Sequence, residues 1–113
     1  VLAPVATDET GGGFVVLYNS ANSDGNNLEI TVSLKGGVPG REYGVWLWCD
    51  GVCLPDPSVP FGSTTANAQG NANFHVNTAI GSGEHTVYVS LWKPELPCWP
   101  EYYRTATVTM TFK

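Results

Sequence analysis

Cys49, Cys53 and Cys98 carry the most reactive side chains in this 113-residue chain, and their number is odd. Three thiols cannot all pair within one molecule. Cys49 and Cys53 bracket the triplet Asp50-Gly51-Val52. A hairpin turn there brings two Cα atoms within the ~4.4–6.8 Å that a disulfide needs. Cys49–Cys53 is therefore the expected bridge. Cys98 is then either an inert buried thiol or an intermolecular one. Bonded head to tail with the next subunit, it would chain copies into a filament. Zinc asks for about four ligands at suitable spacing. Three cysteines and two distant histidines do not supply that spacing, so no metal or other cofactor is expected.

The two histidines, His75 and His85, have no serine, cysteine or carboxylate at a suggestive spacing, and no G-x-S-x-G elbow occurs. Asp24, Asn26, Asn27 and Glu29 could offer oxygens to calcium, but their spacing does not fit an EF-hand loop and reads as a solvated turn. No pair of carboxylates stands out for glycoside hydrolysis. No catalytic residue is assigned, and the chain is read as non-enzymatic.

These residues must sit on strands. Strand-like runs recur over residues 14–19, 28–34, 42–49, 61–65, 71–77, 85–92 and 104–112. In the second run Leu28, Ile30, Val32 and Leu34 share one face. In the last, Ala106, Val108, Met110 and Phe112 face one way and Thr105, Thr107, Thr109 and Thr111 the other. Such alternation suits an antiparallel strand buried on one side. Turns fall at Asp24-Gly25, Gly36-Gly37, Pro39-Gly40, Asp50-Gly51 and Gly81-Ser82-Gly83. The expectation is all-β: a seven-stranded antiparallel immunoglobulin-like β-sandwich over residues 14–113. Strands one, two, four and five form one sheet in that arrangement, and three, six and seven the other. Residues 1–13 are an N-terminal arm or edge strand, hinged at Gly11-Gly12-Gly13 and able to pair in its own sheet or a neighbour's.

The stretch Leu34-Lys35-Gly36-Gly37-Val38-Pro39-Gly40 with Tyr43 and Val45, and then residues 64–72, TTANAQGNA, resembles bacterial and archaeal secreted immunoglobulin-like domains. The layout, length and acidity are also similar to the apoproteins of enediyne chromoproteins. The resemblance covers about half the chain and lies mostly in turn residues, so it implies a fold more than a function. The chromoproteins carry two disulfides from four cysteines. This chain has three cysteines, and their ligand pocket is not carried over.

Strand parity also sorts the aromatics. Trp46 and Trp48 fall opposite the core parity of the third strand, and Tyr88 and Trp92 opposite that of the sixth. All four would stand on one outer face, with Trp99 nearby in a loop stiffened by Pro94, Pro97 and Pro100. A contiguous aromatic patch marks an interface or a ligand platform. Burial of Trp46 through a bulge at Gly44, or cover from the loop, is the competing reading.

Composition narrows the partners. Five bases and ten acids give a net charge of −5, and no basic patch exists, so nucleic acid and anionic membrane surfaces are poor partners. No apolar run reaches the ~20 residues of a spanning helix. Charged residues make up 13%, about half the usual share, which fits an extracellular or cell-surface protein. The expected function is a structural or adhesive module that binds copies of itself or another extracellular protein. The alternative is a module that binds carbohydrate or a small ligand on the aromatic face.

Overall fold

A computed structural model describes residues 2–5, 9–18, 27–54, 60–94 and 102–112. None of these is helical. The strands are β1 (Ala3–Pro4), β2 (Gly12–Tyr18), β3 (Leu28–Lys35), β4 (Glu42–Cys49), β5 (Val52–Leu54), β6 (Gly62–Thr65), β7 (Ala72–Thr78), β8 (Gly83–Trp92), β9 (Tyr103–Arg104) and β10 (Val108–Phe112). They form two antiparallel sheets. The smaller runs β2-β3-β7; the larger runs β1-β9-β8-β4-β5, with β10 also on β8 and β6 also on β4.

The alternation read from sequence sets the packing. Leu28, Ile30, Val32 and Leu34 of the smaller sheet meet Tyr43, Val45, Leu47, Val87, Val89, Leu91 and Phe112 of the larger one in a shared core. The last expected strand is two pieces, β9 and β10, both on β8. Between them the Thr105 hydroxyl, rather than a backbone carbonyl, accepts the Val89 N–H at 3.1 Å. A side chain substituting for the backbone lets the strand kink without orphaning a buried donor.

The placement of the fourth strand is corrected. Residues 62–65 form β6 on the larger sheet, pairing Glu42↔Thr65 through Val45↔Gly62, and do not extend the smaller sheet. The reason lies at Gly62. A Cβ there would come within 2.8 Å of the Phe74 ring, so the bare backbone lies over β7 instead of beside it. The turns carrying the resemblance are also tight. Gly70, at φ +79°, sits against Gly37 so closely that a Cβ would meet the Gly37 oxygen at 2.1 Å. The Gly37 N–H donates to the Gly70 carbonyl at 2.7 Å.

The N-terminal residues pair within the chain. Ala3 and Pro4 lie opposite Arg104 and Tyr103, and the Leu2 N–H donates to the Gly13 carbonyl at 3.0 Å. Leu2 is buried in the core. A buried carboxylate secures this segment. Glu9 accepts from the Arg41 guanidinium at 2.6 Å, the Tyr43 hydroxyl at 2.8 Å and the Tyr103 hydroxyl at 2.5 Å. The Tyr43 oxygen in turn accepts from the Val38 N–H, and the Tyr103 oxygen from the Gly11 N–H. Arg41 also stacks over the Tyr102 ring at 4.3 Å. Burial, together with the Glu9 charge, pushes both the Tyr43 and Tyr103 hydroxyls well above the usual tyrosine range.

Removing the carboxylate takes the acceptor from the buried Tyr43 and Tyr103 hydroxyls as well as from Arg41, so Glu9→Ala is expected to cost roughly 2–4 kcal/mol in urea denaturation. A cost below about 1 kcal/mol would show the network to be dispensable. The tyrosines add a pH dependence. Their folded values lie above the unfolded value of about 10, so their contribution is complete below that pH and declines as pH rises above it. The urea midpoint should fall above pH ~10, and fall less in Tyr103→Phe.

Candidate functional site: the aromatic face of the larger sheet

Sequence parity is correct for the aromatic set. Register places Trp46 opposite Ser90, Trp48 opposite Tyr88 and Gly44 opposite Trp92, all on the outer side of β4 and β8. Trp48 stacks on Tyr88 at 5.5 Å between centroids and 15° between planes. Arg104 reaches over Tyr88, and Lys93 over Trp92. Trp99 lies outside the described residues.

The face is not an open platform. Trp46 is fully buried although it points outward. Cys53 buries with it, and Trp48 and Trp92 pack against the pair. No bulge at Gly44 inverts the parity, because β4 pairs continuously with β8 from Gly44 to Cys49. Instead Pro94, just past β8, crosses over Gly44. A Cβ on Gly44 would meet the Pro94 Cα at 2.9 Å. Glycine is thus what lets the following chain lie flat on the sheet. Tyr88, Trp48 and Trp92 remain half-buried. Three polar atoms on this face, Trp48 Nε1, Ser90 Oγ and Trp92 Nε1, are buried without a hydrogen-bond partner among the described residues. Buried donors in that condition cost about 1–3 kcal/mol each unless something binds them.

The cysteine expectation is overturned. Cys49 is a free thiol, and the Cys49–Cys53 bridge does not form. Register gives the reason. Cys49 lies opposite Val52, while Cys53 lies opposite Trp48. The two sulfurs therefore point to opposite faces of the sheet, Cys49 into the core and Cys53 onto the aromatic face. Cys53 is disulfide-bonded. Cys98, read from sequence as either an inert buried thiol or an intermolecular one, lies outside the described residues.

The histidines have partners that spacing did not reveal. His75 pairs with Glu29 across β3 and β7 at 2.9 Å. His85 Nδ1 pairs with Asp50 at 2.6 Å, and its Nε2 with the Gly81 carbonyl at 2.7 Å. These bonds raise the His85 pKa and lower that of Asp50. Two acceptors on one ring favour the doubly protonated imidazolium, which cannot act as a general base. The neighbouring Cys49 thiol is pushed up by burial, not activated. In the segment read from sequence as a solvated turn, the Asn27 side-chain amide caps Ile80 with two bonds of 2.7 Å. Asp24 and Asn26 lie outside the described residues.

A second surface was missed from sequence. Val15 and Leu17 of β2 face Thr105, Ala106, Val108 and Met110 across a cleft of about 370 Å³ between the two sheets. On the other side of β2, Phe14, Val16 and Tyr18 are 52%, 49% and 59% exposed. Comparison with protein-family models, with curated proteins and with solved structures returns no match.

The cysteine arrangement is directly checkable. Denatured without reductant, the protein should take up alkylating reagent at Cys49 and not at Cys53, and Cys49 in the native protein should react far more slowly. Labelling of Cys53 without reduction would contradict the arrangement.

Proposed function

We propose that the chain is a non-enzymatic extracellular structural or adhesive module with an immunoglobulin-like sandwich, and that copies associate edge to edge through β2. The observation that carries this reading is the state of that edge. β2 ends its sheet, with β3 on one side. On the other side, among the described residues, only Leu2 pairs with it, bridging Gly13, so Phe14 to Tyr18 lie beyond that bridge. The strand reads GGFVVLY and contains no charge. Edge strands usually carry lysine, proline or a bulge that blocks pairing. This one presents apolar side chains on both faces, outward at Phe14, Val16 and Tyr18 and inward along the cleft.

The strand is also complementary to itself. A two-fold antiparallel pairing centred on Val16 sets Val16 against Val16 and Phe14 against Tyr18. Aromatic cross-strand pairs of this kind contribute roughly 0.2–1 kcal/mol each. An isologous contact closes as a dimer. Further growth into a layer or filament would use another surface.

A ligand-binding reading has its own support in the three unpartnered polar atoms beside the Trp48–Tyr88 stack. Half-buried aromatics with convergent donors suit a sugar or a flat polar molecule.

Sedimentation velocity across a concentration series separates the two. Self-association predicts concentration-dependent dimers in the wild type and monomers in Val16→Lys, where two ammonium groups would meet on the axis. A wild type that stays monomeric throughout, with tryptophan fluorescence that changes on glycan titration, would favour the ligand reading and reject the first.

A further inference from the structure

At the end of the sandwich away from Glu9, three side chains of different chemistry converge. One donor atom each from Cys49, Asp50 and His85 lies within 4.8 Å of the others. We propose that this cluster is a binding site for a borderline-soft divalent cation of the zinc type, held by the Cys49 sulfur, the His85 Nδ1 and an Asp50 carboxylate oxygen, with solvent completing the shell.

The donor set fits that ion. Sulfur, imidazole nitrogen and carboxylate oxygen are the ligands zinc uses, and three protein ligands plus water is a common arrangement. At zinc bond lengths and tetrahedral angles, ligand atoms stand about 3.4–3.6 Å apart. His85 Nδ1 and Asp50 Oδ2, now 2.6 Å apart, need open by only about 0.8 Å as the metal replaces the shared proton. Cys49 closes from within 4.8 Å.

The surroundings hold the ligands in place. The Gly81 carbonyl accepts from His85 Nε2 at 2.7 Å, which fixes the ring with Nδ1 toward Asp50. Metal-ligating histidines commonly make this outer bond, and it raises their basicity. The other Asp50 oxygen, Oδ1, accepts the Thr86 N–H at 2.9 Å. Asp50 itself adopts φ 51°, which points its carboxylate back across the strand end. Phe112 packs against the His85 ring on the core side. Asp50 is half exposed, so an ion can enter from solvent.

The site would tie the β4–β5 turn to the start of β8 without a covalent bond. Binding to the folded state alone stabilises it by mass action. This is independent of the β2 contact, and either can fail without the other.

The test is titration of the unreduced wild-type protein with Co²⁺ and then Zn²⁺. One equivalent of Co²⁺ should produce a near-ultraviolet thiolate-to-cobalt charge-transfer band, which Zn²⁺ abolishes by displacement. Cys49→Ser should lose the band, and His85→Gln should weaken Zn²⁺ binding by more than about tenfold in calorimetry. His75→Gln should leave both unchanged. Absence of the band in the wild type would overturn the proposal without any variant. So would a Zn²⁺ affinity that is unchanged in His85→Gln or lost in His75→Gln.

Discussion

The Glu9 carboxylate determines how this chain closes. Its three charge-assisted bonds join the segment before β2, the start of β4 and β9. The tyrosines that donate to it pass the constraint on, since their oxygens accept backbone N–H groups from Gly11 and Val38. A buried charge is stable only when every partner is in place, so the arrangement is cooperative. It also positions the N-terminal strand in the chain's own sheet, where Leu2 fills the core and Ala3 and Pro4 pair with β9.

Closing one end this way leaves the rest of the molecule unequal. Around Trp46, the larger sheet covers its own outer face with Pro94 and Cys53. The smaller sheet does not cover β2, whose aromatic and branched side chains stand in solvent. The most exposed apolar surface thus lies on the opposite sheet from the one that tryptophan parity singles out. In the proposed account, association uses that second surface, while the first is either structural or a ligand site.

Much of the fold was legible because period-2 alternation is a local signal. The strands beginning at Leu28 and Glu42, the run from His85 to Trp92, and the core faces of β3, β4, β7 and β8 follow directly from it, whereas β8 starts earlier, at Gly83. The very short strands β1 and β5 contain too few residues to alternate. The placement of β6 depends on Gly62 lying over Phe74, a contact across the core. Cys49 and Cys53 looked like a pair because spacing suggests proximity, whereas the register sends alternate side chains to opposite faces. The Glu9 hub and the Cys49–Asp50–His85 cluster join residues far apart in sequence, so no spacing could announce them. β2 is apolar at every position from Phe14 to Tyr18, so polarity could not mark which of its faces is exposed.

Hydrogen–deuterium exchange as a function of protein concentration tests the central claim most directly. If copies meet through β2, amides in Gly12–Tyr18 should gain protection as concentration rises, while those of β6 exchange at a constant rate. Exchange of β2 that is independent of concentration, over a range in which the protein associates, would contradict the account.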